Sequence, residues 1–288
     1  MASSHPAQTT QSKRTLLHNP LCTKPILSNC TLFTLMPFRM PFAGEGEFFS
    51  PDSILSHCYG ALLPMFTTKE ATVLRQLCRE FKNTVADFPW EDEETVILGS
   101  VAAWRACFPR ARWANVGGYN EHANRNGRRI QVRDADFVHF VGLRKLDMTS
   151  CKSITDAAFV HLKGIHTLIM PYCSQGTITD AAFLHLEGIH SLSLELCSQP
   201  TITDAAFTHL KSIHSLCIWC CRQLTSAVFT HLKSVKRLNM GCCEQLTLTD
   251  DSFKGIEWLN MKDHSDERIA EAKAFGYPVV ACFGPVWG

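Results

Sequence analysis

Neither sign of charge is in excess in this sequence, and no long apolar run interrupts it. Lys and Arg together number 28 against 27 for Asp and Glu, so the formal net charge is +1 at pH 7. This balance gives no reason to expect nucleic acid or an anionic membrane as a partner. No stretch is apolar over the roughly 20 residues that a membrane helix needs, and no hydrophobic secretory segment follows Met1. We expect an ordinary soluble chain of one or two domains.

The motifs of common enzymes are also missing: there is no glycine-rich phosphate loop, no G-x-S-x-G elbow and no H-E-x-x-H. Histidines recur instead in two phases, which are His139, His161, His185, His209 and His231, and then His166, His190 and His214. Equivalent residues of stacked repeats lie about 5 Å apart, so these histidines would form surface ladders. A catalytic site is singular, whereas these positions repeat without an acidic ligand. We therefore expect no catalytic residue, no cofactor and no metal site.

Acidic residues are absent from residues 1–44, which carry only four Lys and Arg residues among many Ser and Thr. This composition is typical of an organelle transit peptide, although no amphipathic pattern supports import. Two other interpretations stay open, namely a disordered tail and an upstream extension with true initiation at Met36 or Met40. We treat residues 1–48 as an N-terminal tail.

Residues 126–261 repeat one pattern six times. The clearest copies are ITDAAFVHLKGIHTLIMPYC from Ile154, ITDAAFLHLEGIHSLSLELC from Ile178 and ITDAAFTHLKSIHSLCIWCC from Ile202. One phenylalanine marks each copy, and successive markers lie 22, 24, 24, 22 and 24 residues apart: Phe137, Phe159, Phe183, Phe207, Phe229 and Phe253. A period of this length predicts a solenoid, because one copy cannot bury its apolar face alone.

Each copy divides into a strand and a helix. Segments such as Leu168-Ile-Met170 and Leu192-Ser-Leu194 alternate with a period of two, which predicts a short strand with one buried face. The threonine of each ITD triplet is placed to cap a helix, and the aspartate after it favours the helix start. These pairs are Thr155-Asp156, Thr179-Asp180 and Thr203-Asp204. The marker phenylalanine begins the buried stripe of the helix.

The sequence has 14 cysteines, and those between Cys151 and Cys243 follow the same register. One of them closes each strand, at Cys151, Cys173, Cys197, Cys221 and Cys243. Because these cysteines recur with the repeat, we interpret them as small buried residues whose thiols bond to backbone in the turn after the strand. The alternatives are a disulfide framework and metal binding. Free thiols in this number fit a reducing compartment, so we expect the cytoplasm or the nucleus.

This arrangement resembles the cysteine-containing class of leucine-rich repeats over roughly residues 100–262. The repeats are a little short for the class, and the fifth copy reads Leu224-Thr-Ser226 in place of ITD. The resemblance implies an α/β solenoid, a right-handed horseshoe, to which we assign residues 93–262. Residues 263–288 would form a C-terminal cap, in which a helix from Asp266 to Phe275 precedes a last apolar strand.

Residues 49–92 predict a small helical unit. A first helix opens at Ser50-Pro51 and ends at Leu63-Pro64. A second begins near Thr67-Thr68 with Glu70 in its first turn, and turns five residues towards a core: Val73, Leu74, Leu77, Cys78 and Phe81. A unit of this size is small for independent folding, so we expect it to pack on the repeats or on a partner.

This unit resembles an F-box, the module by which substrate receptors attach to the adaptor of cullin-type ubiquitin ligases. The most specific match is Leu77-Cys-Arg79-Glu-Phe81, with Pro51-Asp52 before it and Pro89-Trp90 after it, while Ser50 replaces the family's leading leucine. The resemblance implies adaptor contact through six residues: Pro51, Ile54, Leu55, Leu62, Pro64 and Leu77. The alternative is a plain helical cap over the open end of the repeat core.

Function is then expected in recognition, on the concave face where strand positions vary. The candidate contacts for a protein substrate are Asp147, Thr149, Ile169, Tyr172, Glu195, Trp219 and Asn239. Tyr172 and Trp219 are aromatic residues of the kind that anchor interfaces, with Glu195 between them. The alternative is that Trp219 only covers a neighbouring strand.

The two resemblances together imply the substrate-recognition subunit of a cullin-type ubiquitin ligase, monomeric outside its complex, that holds a protein substrate while the ligase supplies the chemistry. The alternative is a repeat scaffold that binds a partner without any ligase. A metal-binding or organelle-imported repeat protein is a third interpretation.

Overall fold

A computed structural model describes residues 63–92, 94–117, 130–249 and 251–280. All of them belong to one compact unit, Phe49–Gly288. The predicted tail and the first predicted helix lie outside the described residues, and so do four of the six adaptor residues: Pro51, Ile54, Leu55 and Leu62.

The described part of the helical unit has a 3-10 turn over Leu63–Met65 and two short α-helices, α1 (Thr68–Leu74) and α2 (Arg79–Asp87). Helix α1 begins as predicted, because Thr67 and Glu70 form a capping box. Its end differs from the prediction, since the chain leaves the helix after Leu74 and restarts at Arg79. Three residues predicted to face a core are therefore exposed: Val73, Leu77 and Cys78.

Residues from both helices and from the first repeat build the core of this unit. They are Leu63, Ala71, Val85, Trp90, Phe108 and Ala111. The Trp90 carbonyl accepts hydrogen bonds from the backbone N–H groups of Arg112 (2.8 Å) and Trp113 (3.2 Å). The unit thus packs on the start of the repeats, as expected for a module too small to fold alone.

One parallel sheet holds all the described strands, which follow one another in sequence order as β1 to β8. They are Trp113–Asn115, Lys145–Asp147, Thr167–Ile169, Ser191–Ser193, Ser215–Cys217, Arg237–Asn239, Trp258–Asn260 and Val279–Val280. Their central leucines are in register, as Leu168 is with Leu192 and Leu192 with Leu216, and these leucines are fully buried. The predicted strands with one buried face are confirmed.

Short helices return the chain from each strand to the next. In the described residues they are α3 (Val101–Cys107), α4 (Asp156–Phe159) and α5 (Asp180–Phe183), and 3-10 turns over Asp134–Phe140, Val160–Leu162, Leu184–Leu186, Asp204–His209 and Ser226–Thr230. The predicted caps are confirmed, because the Thr155, Thr179 and Thr203 hydroxyls each accept from the N–H two residues later (3.2 Å). The expected α/β leucine-rich-repeat solenoid is confirmed.

The aspartates of the ITD triplets bind the following repeat. The Asp156 carboxylate accepts from the backbone N–H and the hydroxyl of Thr179, both at 2.7 Å. Asp180 accepts from the same two groups of Thr203, again at 2.7 Å. The sequence predicts only a favourable charge at the helix start, so this bond between repeats is an additional finding.

The marker phenylalanines and the cysteines fill the interior. Phe159, Phe183 and Phe207 are fully buried in one core that runs the length of the repeats. The predicted thiol bonds are confirmed and reach the preceding repeat, as from Cys197 to the Met170 carbonyl (Sγ to O, 3.1 Å). Burial is the main cause that raises the pKa of the Cys197 thiol to about 12.

The C-terminal end is covered by α6 (Asp266–Ala274) and by β8, which pairs with β7. The Tyr277 hydroxyl donates to the Thr249 carbonyl, and its ring meets Phe253 edge-on at 6.0 Å between centroids. The predicted helix and last strand are thus present. Among the described residues no helix has the length and apolarity to span a bilayer.

Candidate partner-binding face

The outer sheet face is the surface of the sheet opposite the leucine core, and two of its rows of residues hold most of the predicted contacts. The first row holds the last residue of each of the first seven strands: Asn115, Asp147, Ile169, Ser193, Cys217, Asn239 and Asn260. The second row holds the residue two positions later: Gly117, Thr149, Pro171, Glu195, Trp219, Gly241 and Lys262. Of the predicted contact residues, all except Tyr172 lie in these rows.

Much of the first row is packed rather than open. Ser193 and Cys217 are fully buried, and Asn239 is only 8% exposed. The Asn239 side chain accepts from the backbone N–H of Gly241 (Oδ1 to N, 3.2 Å), which satisfies a donor where the strand ends. The prediction of Asn239 as a contact residue is therefore corrected, because its side chain is buried and bonded within its own repeat.

Asp147 and Thr149 form a local pair at the N-terminal side of the same face. The Asp147 carboxylate accepts from the Thr149 backbone N–H (2.9 Å) and from its hydroxyl (2.6 Å). Ile169, the register partner of Asp147 on β3, is half-buried. Two of the predicted polar contacts thus already bond to each other, which leaves them less capacity for a partner.

Trp219 lies over the neighbouring strand. A Cβ atom placed on Gly241 would meet Trp219 Cδ1 at 2.6 Å and Nε1 at 2.9 Å, so the indole occupies the space that a larger residue would need. The indole is half-buried by this contact. The alternative reading of Trp219 as a cover for its neighbour is therefore correct in part, since the rest of the side chain remains accessible.

Glu195 and Cys217 join the tryptophan in one cluster. The Cys217 thiol donates to Glu195 (Sγ to Oε1, 3.1 Å), and the Trp219 backbone N–H donates to the Cys217 sulfur. Burial first, and then the Glu195 carboxylate, raise the pKa of the Cys217 thiol well above its usual range. Cys217 is not among the predicted contact residues, and it begins the sequence Cys217-Ile-Trp-Cys220, which has the C-x-x-C spacing.

Tyr172 occupies the corner that follows the strand. Within the described residues, six equivalent corners have a left-handed backbone, with φ between 57° and 64°: Ser150, Tyr172, Leu196, Cys220, Cys242 and Asp263. Left-handed backbone costs a non-glycine residue about 1–2 kcal/mol. The sheet ladder holds the corners in place, because the Tyr172 N–H donates to the Glu195 carbonyl and the Leu196 N–H to that of Trp219, both at 2.9 Å.

Tyr172, Glu195 and Trp219 therefore come from three consecutive repeats, about 4.8 Å apart from one repeat to the next. All three are half-buried, so each is held in place and still presents atoms to solvent. We call these three residues the recognition patch.

The helical unit presents apolar side chains to solvent. Pro64 and Leu77, the two adaptor residues within the described range, are both exposed. Met65 is 72% exposed, Val73 61% and Leu77 53%. We call Pro64, Met65, Val73 and Leu77 the exposed apolar set of the unit.

The predicted histidine ladder is present in one phase. The imidazole rings of His166 and His190 lie 4.6 Å apart between centroids, and those of His190 and His214 lie 4.4 Å apart. Burial is the first cause that lowers the pKa of His166 and of His190. Within the described residues no three His, Cys, Asp or Glu side chains are grouped so that they could hold a metal ion.

No family model matches this sequence, and no curated protein matches it. Among solved structures, the complex of Rad7 and Elc1 in yeast has 18% identity, covers 48% of this chain and 42% of its own, and has a TM-score of 0.38. The TLR13–ssRNA13 complex has 16% identity, covers 64% of this chain and 27% of its own, and has a TM-score of 0.46. The Drosophila Toll–Spatzle complex has 14% identity, covers 58% of this chain and 25% of its own, and has a TM-score of 0.41. This chain spans less than half of each.

Proposed function

We propose that this chain is a non-enzymatic receptor that binds a protein on its outer sheet face, with the recognition patch at the centre of the contact. The observation that carries this proposal is that Tyr172 and Trp219 are both half-buried and lie on strands joined by continuous backbone hydrogen bonds. Aromatic side chains that are already held in place lose little freedom on binding and often anchor interfaces. Glu195 adds one carboxylate between them.

We further propose that the helical unit, residues 49–92, attaches this receptor to the adaptor of a cullin-type ubiquitin ligase. Support comes from the F-box resemblance and from the exposed apolar set, which includes the adaptor residues Pro64 and Leu77. Several exposed apolar side chains on one small module favour a protein partner. The receptor would act by proximity, holding a substrate while the ligase supplies the chemistry.

A second candidate is a repeat scaffold with no ligase attached. The observation that favours it is the shared core of the helical unit and the first repeat, where Trp90 packs edge-on against Phe108 at 5.7 Å between centroids. A module that covers the open end of a solenoid performs a structural task without any partner. Both candidates use the same recognition patch, so they differ only in the exposed apolar set.

Binding of the full chain to purified cullin adaptor separates the two candidates. In the ligase receptor, Leu77→Ala weakens adaptor binding by about 10- to 150-fold, because a Leu side chain that becomes buried contributes about 1.5–3 kcal/mol. Leu184→Ala is the matched control, since Leu184 is 54% exposed and lies in a repeat. Combined Pro51→Ala and Leu55→Ala should abolish binding.

No adaptor binding by the unchanged chain would favour the scaffold. Equal weakening by Leu77→Ala and Leu184→Ala would refute the assignment of the exposed apolar set.

A further inference from the structure

Two cysteines sit at neighbouring corners of the sheet. Cys220 and Cys242 have φ values of 59° and 58°, and both are half-buried. The ladder fixes their spacing, because the Cys220 N–H donates to the Gly241 carbonyl and the Cys242 N–H to the Lys262 carbonyl, both at 3.0 Å. Equivalent residues of adjacent strands lie about 4.8 Å apart, which falls within the Cα separation of about 4.4–6.8 Å that a disulfide requires.

Their thiols are close enough to interact. The Cys242 thiol pairs with that of Cys220 and donates to the Asp263 carboxylate (Sγ to Oδ2, 3.3 Å). The cysteines that directly follow them are different, since the Cys221 and Cys243 thiols are buried and donate to the carbonyls of Leu194 and Ile218 (3.0 and 3.1 Å). Access to solvent and contact with another thiol therefore coincide at the corner pair.

We propose that Cys220 and Cys242 are a redox modification site, which a low-molecular-weight disulfide such as oxidised glutathione converts to a reversible intrachain disulfide. One protein thiol attacks the glutathione disulfide, which gives a mixed disulfide and releases one glutathione thiol. The second protein thiol then attacks the protein sulfur of the mixed disulfide and releases the other glutathione. Two protein thiols are oxidised, and one disulfide is reduced to two thiols that carry the two protons.

Burial, followed by the hydrogen bonds with Cys220 and Asp263, raises the pKa of the Cys242 thiol. The thiolate is the attacking species, so the thiol that attacks first carries the glutathione and the other acts as the resolving thiol. The predicted intermediate is therefore a glutathione adduct on one of these two cysteines.

Peptide mapping of the full chain tests the site. The protein is incubated with oxidised glutathione, its remaining thiols are blocked with N-ethylmaleimide, and it is digested with trypsin. The expected product joins peptide 212–222 to peptide 238–254 and disappears after treatment with dithiothreitol. Cys220→Ser and Cys242→Ser should each abolish it, and Cys242→Ser should accumulate a glutathione adduct on peptide 212–222.

Cys221→Ser and Cys243→Ser are the matched controls, because their hydroxyls can still donate to the carbonyls of the preceding repeats. Both controls should retain the cross-linked product. The proposal is overturned if the product persists in Cys220→Ser or Cys242→Ser. It is also overturned if oxidation yields only glutathione adducts, or only a bond within peptide 212–222 between Cys217 and Cys220.

Discussion

Replacing Gly241 by alanine tests the position of Trp219 directly. The added Cβ would lie 2.6 Å from Trp219 Cδ1 and 2.9 Å from Nε1, and 2.9 Å from the Lys262 carbonyl oxygen. Carbon atoms pack at about 3.5 Å or more, so the indole has to move by about 1 Å and the backbone near Lys262 has to yield as well. Overpacking of this kind lowers the free energy of unfolding by about 1–3 kcal/mol.

Urea unfolding followed by far-UV circular dichroism measures this loss, because the substitution itself changes the tryptophan fluorescence. Gly176→Ala is the control, since the nearest atom to its added Cβ lies 4.0 Å away. The control should change stability by less than about 0.5 kcal/mol.

The effect of Gly241→Ala should shrink when Trp219 is already alanine, with a coupling energy of about 1 kcal/mol. It should not vanish, because the Lys262 carbonyl remains in the way. Equal losses in both backgrounds, or a loss no larger than that of Gly176→Ala, would refute the placement of the indole over Gly241.

Two further perturbations test the contacts between repeats. Asp180→Ala removes both acceptors from Thr203, and it should lower the free energy of unfolding in urea by about 1.5–3 kcal/mol. Glu187→Ala is the control, because Glu187 is an exposed carboxylate of the same repeat, and it should have little effect. Acidification should also destabilise the chain. The pKa values of His166 and His190 are lowered in the folded chain, so the unfolded chain binds more protons below about pH 6.5. The free energy of unfolding therefore decreases as the pH is lowered through this range. His190→Gln should flatten this fall in the urea midpoint, and an unchanged slope would contradict it.

The sequence predicts those parts of the fold that depend on one repeat at a time. The Thr179 cap and the period-two strand around Leu192 require only local spacing, and the recurrence of Phe183 shows that the units stack. The bond from Asp180 to Thr203 escapes prediction, because a favourable charge at a helix start already accounts for that aspartate. Nothing in a single copy indicates that its carboxylate reaches the next repeat.

The helical unit shows a different limit. Helical spacing from Thr68 to Phe81 predicts one continuous buried face, yet Val73 and Leu77 are exposed. The core of the unit includes Phe108 and Ala111, which come from a later segment of the chain. Val73 and Leu77, which the helical spacing predicts to be buried, are not part of this core. Periodicity identifies an apolar face but not what covers it.

The outer sheet face shows a similar limit. Alternation along the strand correctly turns Asn239 away from the leucine core, but it gives no information on whether an outward residue is open or packed. Gly241 is the informative residue in hindsight. A glycine beside a tryptophan of the neighbouring strand indicates that the indole needs the space.

The two proposed binding surfaces are far enough apart to be tested independently. The helical unit meets the sheet at Trp113 of β1, through the Trp90 carbonyl, whereas Trp219 follows β5. Four strand spacings separate β1 from β5, which is about 19 Å. Substitutions at such a distance act additively when they share no contacts. Trp219→Ala should therefore leave adaptor binding unchanged, and Leu77→Ala should leave the recognition patch intact. If Trp219→Ala alone abolished adaptor binding, the assignment of the adaptor to the helical unit and of the substrate to the outer sheet face would be wrong. The adaptor itself would then be the partner of the recognition patch.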